Sequence, residues 1–399
     1  MTQPLHGIRI VDLSTVFSGP MAATLLSDQG AEVIKVESPE GDTARLIGHT
    51  KGDLSSSFIA ANRGKRCIAL DLKNPAARDV LLALIARADV LMENFRPGVM
   101  ARLGLADADL AARFPSLIRL SITGFGATGP RAADKAYDAV IQAVAGVAAS
   151  QRDPNSGEPV MLATTVCDKL TALTAAQAVT AALFARARDG CGRRVEVAML
   201  DATLAFQWPD AMFNHVFLDD APAPMPEFGA TQRPWRTADG FVATMVPRQD
   251  EFIGLCQALG RPDLPQDPRF ASQPARYRNG PALRALLEPL MASIDKATLD
   301  AACRQHGVPM GVLNERSEVL TDPQVLHNRA LISLPNGSAG RVRVARAAAL
   351  FDGQPQQPET GAGRLGEHGL AVLAELGYST EQAAQLVADG VLRLPLPDR

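Results

Sequence analysis

Short apolar runs alternate with longer stretches of helical spacing through the first half of the chain. Runs rich in Val, Ile and Leu are typical of strands buried on both faces, and apolar residues repeated at helical spacing are typical of amphipathic helices. The predicted strands are residues 8–13, 32–37, 67–72, 89–93, 117–122 and 194–199, and the predicted helices are residues 20–29, 75–88 and 169–187. This rhythm predicts an α/β fold with a large, doubly wound, Rossmann-like parallel sheet.

The second half has a different pattern, which predicts a smaller α+β domain. A proline-rich stretch begins at residue 221 and is typical of a stiff linker. The predicted elements are a hairpin at 235–244 turning at Asp239-Gly240, and helices at 251–259, 282–293, 298–306, 367–376 and 380–389. The expected domains are a large domain in 1–220, a linker in 221–229, a small domain in 230–319, and a return linker with C-terminal helices completing the large domain in 320–399.

Composition and charge exclude several classes of protein. The chain has 399 residues, of which 47% are hydrophobic and only 5% aromatic, and its net charge is −3. A slightly acidic chain with few aromatic residues is not expected to bind nucleic acid or an anionic membrane surface. We see no apolar run of the roughly 18–20 residues that span a bilayer, and no signal segment. A cytoplasmic protein is therefore expected.

Cysteine and histidine positions predict neither a metal site nor a disulfide framework. The five cysteines are far apart, and the six histidines lack the spacing of metal ligands. No Gly-x-Ser-x-Gly elbow indicates a serine hydrolase. Cys167 has no histidine nearby in sequence, so we expect a buried and inert thiol there.

Asp168 is the candidate with the most informative context. It follows the short stretch Thr164–Cys167, which resembles a strand, and it precedes a long alanine-rich helix. A carboxylate at that helix N-cap would face unpaired N–H groups, which favour its ionised form. Two readings remain open from local sequence alone: a helix cap, or a carboxylate nucleophile.

A glycine-rich segment follows the fifth predicted strand. Gly124, Gly126 and Gly129 fit the dinucleotide pattern G-x-G-x-x-G, but the residues that follow lack the apolar spacing of the required helix. A nicotinamide-dependent oxidoreductase is therefore disfavoured. We interpret the segment as a flexible loop over a ligand site.

Two further segments carry candidate phosphate-binding chemistry. Residues 62–66 place three cations around a glycine, which is typical either of a solvated surface or of a phosphate-binding loop. Asn94, Phe95 and Arg96 follow a predicted buried strand, where open α/β sheets bind ligands. A plain turn is the alternative for the second segment.

Taken together, these strings resemble the class III CoA-transferases, the family of formyl-CoA transferase and carnitine CoA-transferase. The resemblance covers essentially the whole chain, and its later part includes Gly307-Val308-Pro309 and Gly366-Glu367-His368. The earlier strings that carry it are residues 4–14, Ser18-Gly19-Pro20, 30–37, 41–42, 62–66, 70–73, 93–98, 102–105 and 124–130.

The resemblance implies roles for individual residues. Asp168 matches the family's catalytic aspartate, which forms an anhydride with the acyl group and then a thioester with coenzyme A. Coenzyme A is implied as a substrate rather than a resident cofactor, and the glycine loop is implied as oxyanion donor and lid. The implied coenzyme A contacts are Val16, Leu70, Asn94, Phe95, Arg102 and Lys135, and the guanidinium of Arg96 is expected to add a phosphate contact beside them. Ser38 stands where formyl-CoA transferase-like members carry a basic residue, so that phosphate contact is either lost or supplied elsewhere, with Arg45 and Lys65 as candidates.

The resemblance also implies an interlocked homodimer of ring-like subunits, and short carboxylic or dicarboxylic acids as substrates. Succinyl-CoA as donor with a C4–C5 dicarboxylate acceptor is expected from family habit. Racemases of α-methylacyl-CoA share the fold, but they use a His-Asp pair where this chain has Tyr137-Asp138. Because tyrosine is a poor base near neutral pH, transfer is favoured over racemisation. A non-catalytic acyl-CoA binder remains open.

Overall fold

The computed structural model describes residues 3–153, 156–220, 222–225, 233–356 and 358–396, and it divides into two compact units. Unit 1 contains residues 1–148, 161–207 and 327–399, and unit 2 contains residues 149–160 and 208–326. Unit 2 therefore includes residues 208–220 and 320–326, which lie outside the predicted small domain of 230–319. Of the predicted linker, only residues 222–225 lie among the described residues.

Unit 1 is built on a seven-stranded sheet, and its strands are β1 (Arg9–Asp12), β2 (Glu32–Glu37), β3 (Arg66–Leu70), β4 (Val90–Glu93), β5 (Ile118–Thr123), β6 (Arg194–Ala198) and β7 (Leu392–Arg393). The spatial order is β7-β3-β2-β1-β4-β5-β6. The first six strands are mutually parallel, and β7 pairs antiparallel to β3. This is the doubly wound order, so the predicted fold class is confirmed. The order reverses between β1 and β4.

Helices cover both faces of the sheet. Three of them position the site: α1 (Ser18–Ser27), α2 (Asp138–Val144) and α3 (Val166–Asp189). They share one apolar layer with the sheet, while a second layer on the other face includes Leu81 and Leu373. The remaining helices described in unit 1 are Ser56–Asn62, Pro75–Ile85, Val99–Arg102, Asp107–Arg113, Gly369–Leu376 and Thr380–Ala388. Three further helices, Val147–Ser150, Met199–Ala211 and Pro323–His327, each contain a position in the sequence where the chain passes from one unit to the other.

Helix α3 is long and apolar enough to cross a membrane by length and composition, which the sequence analysis did not find. Its apolar character has a different cause here. Ala172, Ala175 and Val179 are buried in the layer that α3 shares with α1 and the sheet. The small alanine side chains allow α1 and α3 to pack closely, so α3 is a core helix of unit 1.

Unit 2 contains a three-stranded antiparallel sheet and a separate apolar core. Strand Gly240–Thr244 lies between Trp235–Thr237 and Met310–Val312. Gly240 is already paired with Thr237 in the sheet. The hairpin therefore turns at Ala238-Asp239, one residue earlier than predicted. The larger helices described in this unit are Gln249–Ala258, Gln273–Arg278, Gly280–Ala292 and Lys296–Gln305.

Candidate active site

The ends of β1 and β4 meet where the strand order reverses. β1 leads into residues 14–18, here called the β1 turn, and Asn94 follows β4. The Asn94 side chain accepts from the Thr15 N–H and donates to the Thr15 carbonyl, each at 2.8 Å. These two bonds join the strand ends at the position where doubly wound sheets bind ligands. They also occupy the Asn94 amide, which had been predicted to contact coenzyme A.

Asp168 lies in the first turn of α3 and is not its N-cap. The helix begins at Val166, with Thr165 in the capping position and no side-chain cap. The predicted N-cap is wrong because the helix begins two residues before Asp168, and the described residues 161–165 do not form a strand. Instead, Gln142 holds the approach to the helix: its Oε1 accepts the Leu162 N–H at 2.9 Å and its Nε2 lies 3.2 Å from the Thr164 carbonyl oxygen.

The Asp168 carboxyl is buried, with 7% of the residue exposed. Burial, and then the nearby charge of Asp138, raise the pKa of Asp168 from 3.8 to about 7. The nearby Ser18 N–H and hydroxyl, together with the charge of Lys169, lower the pKa of Asp168 and so partly oppose these two effects. Burial and the charge of Asp138 therefore outweigh the expected preference for the ionised form, and the Asp168 carboxyl titrates near neutral pH.

Asp138 is the first residue of α2, and it organises the start of α3. One of its carboxyl oxygens accepts the Asp168 N–H at 3.0 Å, and the other accepts from Gln142 Nε2 at 2.6 Å. Asp138 is itself buried. Two carboxyl groups are thus held together in a site with little water, where like charges repel strongly.

Ser18 brings the N-terminus of a second helix to Asp168. It is the first residue of α1, and α1 packs along α3. The next residue must be glycine, because a Cβ on Gly19 would lie 2.3 Å from the Ser14 Cβ. Because Ser18 is near Asp168 and begins α1, the N-terminal end of α1 lies on the Asp168 side, which favours a developing anion there.

Cations predicted to bind phosphate are instead paired within unit 1. Arg45 forms two hydrogen bonds with Glu37, at 2.6 and 2.7 Å, and Lys65 lies 2.8 Å from Asp12. Both cations are buried, so neither replaces the basic contact missing at the exposed Ser38. The other two cations of residues 62–66 are also paired, Arg63 with Asp28 and Arg66 with Glu32 and Glu375. The loop is neither a solvated surface nor a phosphate cradle.

The remaining predicted coenzyme contacts divide into buried and exposed groups. Leu70 is fully buried in β3 and offers no surface to a ligand. Arg96, Arg102 and Lys135 are exposed. Val16, in the β1 turn, is partly buried and has a left-handed backbone with φ +68°.

A cavity of about 270 Å³ opens beside β4 and β5. Phe95, Arg96 and Gly98 line it from the segment after β4, and Ala127 lines it from the glycine loop. Glu93 also faces this cavity, and burial raises the pKa of its carboxyl. The cavity joins two segments that the sequence had singled out separately.

The loop containing Gly124, Gly126 and Gly129 follows β5 and is tied to its surroundings. The Gly126 N–H donates to Thr123 Oγ1 at 3.0 Å, so it is not available as an oxyanion donor in this conformation. A Cβ on Gly124 would lie 2.2 Å from the Ala136 Cβ. Gly126 and Gly129 both have positive φ, which explains the repeated glycines without a dinucleotide.

Other chemistry at this site is weak. Burial raises the pKa of Cys167 to about 11, so its thiol is protonated and a poor nucleophile at neutral pH. Within the described ranges, no group of three or more His, Cys, Asp or Glu side chains could hold a metal ion. Asp168 remains the nucleophile candidate with a perturbed environment.

A sequence description of CoA-transferase family III matches residues 5–369. The chain belongs to CoA-transferase family III. The resemblance inferred from the sequence strings is therefore confirmed, and the protein is an enzyme of that family. Members of this family use CoA thioesters as substrates.

Curated relatives are similar to this family III enzyme over nearly its whole length. Succinate–glutarate CoA-transferase of Agrobacterium fabrum is 34% identical over 384 residues, which covers 94% of this chain and 96% of the relative. Acetyl-CoA:oxalate CoA-transferase of Acetobacter aceti is 34% identical over 383 residues, covering 93% and 95%. Relatives of comparable similarity thus act on different acids.

Solved structures of family III proteins have the same fold. A CAIB/BAIF family protein from Brucella suis superposes with a TM-score of 0.81 at 33% identity, covering 94% of this chain and all of the other. A protein from Mycobacterium tuberculosis gives a TM-score of 0.82 at 32% identity, covering 93% and 99%.

Sequence reasoning missed three residues that shape the site of this family III enzyme. Asp138 had been considered only as part of a replaced racemase pair, Ser18 only as part of a matching string, and Gln142 not at all. A polar residue within an apolar helix, as Gln142 is in α2, was the available signal, because a buried amide needs partners. The contact between Ser18 and Asp168 joins distant segments and leaves no local signal.

Proposed function

We propose that this enzyme transfers coenzyme A from an acyl-CoA to a short-chain carboxylic or dicarboxylic acid, with Asp168 as covalent nucleophile. The observation that carries this proposal is a buried carboxyl of pKa about 7 at the carboxyl edge of the sheet. Among the described residues, no salt bridge neutralises Asp168. Its charge is therefore available for reaction and is not committed to a structural pair.

The proposed reaction has two symmetrical halves. An Asp168 oxygen attacks the thioester carbonyl, the C–S bond breaks, and the thiolate of coenzyme A leaves a mixed anhydride. The thiolate attacks the aspartyl carbonyl, releasing the donor acid as a carboxylate and leaving an aspartyl-CoA thioester. The acceptor carboxylate attacks this thioester, and the released thiolate then attacks the acyl carbonyl of the new anhydride. The products are the new acyl-CoA and free Asp168, with no net consumption of protons or water.

The raised pKa of Asp168 suits this chemistry in two ways. A desolvated carboxylate is a stronger nucleophile than a hydrated one, since nucleophilicity rises with basicity. Charge leaves the carboxylate as it attacks, which relieves repulsion from Asp138 in the transition state. Because the ionised form reacts, kcat/KM is expected to rise as the pH increases through about 7.

Exposed cations and the cavity support a site for coenzyme A. Arg96 lines the cavity beside β4, and Arg102 follows it in helix Val99–Arg102. Lys135 follows the glycine loop. We propose that these three cations contact coenzyme phosphates, and that Phe95 and Val16 contact its apolar parts.

Trapping the covalent intermediate tests the proposed function. Enzyme incubated with acyl-CoA and quenched with hydroxylamine is expected to carry a hydroxamate on the peptide containing Asp168, detected by mass spectrometry. A matched sample without acyl-CoA controls for non-specific labelling. A label on another residue, with none on Asp168, would contradict the proposed nucleophile.

Lys169 is proposed to select dicarboxylic acceptors. It is exposed in the first turn of α3, where the helix dipole disfavours a cation. Its ammonium donates to Thr164 Oγ1, and no ion pair with Lys169 occurs in the described part of the chain. An unpaired cation next to the nucleophile is well placed for the second carboxylate of an acceptor. The substrates in the names of curated relatives, succinate and glutarate, are dicarboxylates.

Replacing Lys169 with alanine is expected to raise the KM for succinate and glutarate by about 10-fold, the loss of one charge-assisted bond. The KM for a monocarboxylate such as acetate is expected to change by less than about twofold. Initial rates with a panel of acids and a fixed donor measure both. Equal increases for mono- and dicarboxylates would exclude this role for Lys169.

A racemase remains the alternative on this fold. It requires a base beside the thioester α-carbon, but Tyr137 is exposed and Asp138 already accepts two hydrogen bonds. Incubation of a chiral acyl-CoA in deuterated water distinguishes the two activities. Deuterium at the α-carbon without exchange of coenzyme A would favour racemisation.

We propose that the enzyme is a homodimer, with interlocked subunits as the family resemblance implies. Large apolar side chains are exposed on α3 and on the helix Met199–Ala211, namely Leu173, Phe184 and Phe206. Exposed apolar area of this kind is typical of an association surface. Light scattering is expected to give twice the 42.3 kDa chain mass, and a monomer mass would contradict the proposal.

A further inference from the structure

A fully buried ion pair lies beneath the β1 turn. Lys35, in β2, and Asp42 are both completely buried, and their charged atoms are 3.0 Å apart. Despite burial, the charges of Asp42 and Asp12 raise the pKa of Lys35, so it stays protonated. A buried ion pair contributes little net stability compared with apolar side chains. Its presence here therefore calls for a reason other than stability.

Asp42 holds a strained residue of the turn. Its Oδ1 accepts the Val16 N–H at 3.0 Å and the Ala44 N–H at 2.9 Å. Val16 has φ +68°, a strained conformation that β-branched residues rarely adopt. Such a conformation persists only where surrounding contacts impose it.

Other buried side chains hold the rest of the turn. Lys35 Nζ donates to the Ser14 carbonyl at 2.8 Å, and Asp12 accepts the Ser14 N–H at 2.9 Å. Asn94 holds both polar groups of Thr15. Lys65 Nζ donates to the Pro20 carbonyl at 2.8 Å. The backbone leading into α1 is thus fixed by side chains from β1, β2, the segment after β4 and the segment before β3.

We propose that this network, here called the turn clamp (Asp12, Lys35, Asp42, Lys65 and Asn94), is a positioning device that aims the Ser18 N–H and hydroxyl at the Asp168 carboxyl. The inference rests on the proposed role of Asp168. Without the clamp, Val16 relaxes to negative φ, and the following two residues rotate away from Asp168. The clamp residues then act through the turn and not on the substrate.

Two variants test the clamp. Asp42→Asn retains an acceptor for the Val16 N–H but loses the charge beside Lys35, and Asn94→Ala releases Thr15 without leaving a buried charge unpaired. Asn94→Ala is expected to lower kcat by about 10- to 100-fold, and to raise the apparent pKa of kcat/KM by at least about half a unit, because Ser18 donors lower the pKa of Asp168. Asp42→Asn is expected to show a smaller change in the same direction.

Asp28→Asn is the matched control. Asp28 is buried and paired with Arg63 at the other end of α1, so its replacement is expected to change the melting temperature without moving the pH profile. If Asn94→Ala changes only the melting temperature, as the control does, the clamp is merely structural and the inference is wrong.

A readout independent of catalysis separates this inference from the proposed function. The free energy of unfolding is measured for the unsubstituted enzyme and for Asp168→Asn from pH 4 to 9. The difference between the two curves reports the ionisation of Asp168 without turnover. The Asn94→Ala background is expected to shift that curve to higher pH. A shifted curve in an enzyme whose transfer survives Asp168→Ala would refute the proposed function alone. An unshifted curve in an enzyme that needs Asp168 would refute the clamp alone.

Discussion

Asp168→Ala is expected to lower kcat for CoA transfer by at least about 10⁴-fold. The nucleophile forms both covalent intermediates, and its removal leaves only binding and orientation to assist a direct exchange. Transfer between an acyl-CoA and an added acid, followed by mass spectrometry of the CoA products, measures the loss.

Asp189→Ala provides the control for the same helix. Asp189 is exposed at the far end of α3, where it pairs with Arg193, and its loss is expected to leave kcat unchanged. Transfer within about 10-fold of the unsubstituted enzyme in Asp168→Ala would show that the acyl group is not carried on this side chain.

The same position predicts an unusual stability effect that also shows whether the variants fold. The pKa of Asp168 is about 7 in the folded protein and near 3.8 when the chain is unfolded. Because the folded pKa is raised, ionisation costs stability progressively from about pH 4, and the full cost is present above about pH 7. Asp168→Asn is therefore expected to increase the free energy of unfolding at pH 8 by on the order of 2–4 kcal/mol, and to change it little at pH 4. A difference independent of pH would contradict the raised pKa.

Asp138→Asn is expected to move the rising limb of the pH profile of kcat/KM downwards by roughly one unit. The charge of Asp138 is, after burial, the second cause of the raised pKa of Asp168, and the amide removes that charge while keeping an acceptor for the Asp168 N–H. Activity at pH 5.5 relative to pH 8 is therefore expected to increase about 10-fold. Maximal kcat is expected to fall, since a less basic carboxylate is a weaker nucleophile.

Rates from pH 5 to 9 for the unsubstituted enzyme, Asp138→Asn and Asp189→Asn measure this shift. Asp189→Asn is expected to overlay the unsubstituted profile. An Asp138→Asn profile with the same midpoint would mean that burial alone sets the pKa of Asp168, and that Asp138 serves only to begin α3.

The sheet could be predicted from the sequence because each strand carries its own apolar signal. Residues 32–37 carry Val33, Ile34 and Val36 between charged residues, and the predicted range coincides with β2. The alternation of strands and helices then restricts the strand order, since crossovers are short and right-handed. The start of α3 was misplaced because Thr164 and Thr165 have high strand propensity, while tertiary contacts from Gln142 decide their conformation.

The phosphate-binding interpretation of residues 62–66 failed for a related reason. Lys65 and its partner Asp12 are 53 positions apart in sequence, so the local pattern shows the cation and not its partner. Arg45 likewise forms a salt bridge with Glu37, at the end of β2. A run of cations therefore indicates a ligand site only if carboxylates at the ends of neighbouring strands do not already pair with those cations. The raised pKa of Asp168 could not be predicted from local sequence for the same reason, because Ser18 and Asp138 come from separate segments.

The short strand β7 gives the sheet a protected border. It covers β3, whose residues Cys67, Ile68 and Leu70 are fully buried. A chain truncated before Leu392 would present β3 as an open, apolar edge with unpaired backbone groups, which is a template for aggregation. Strand β7 thus completes the edge of the sheet beside β3, and chains that lack it are expected to accumulate as insoluble material.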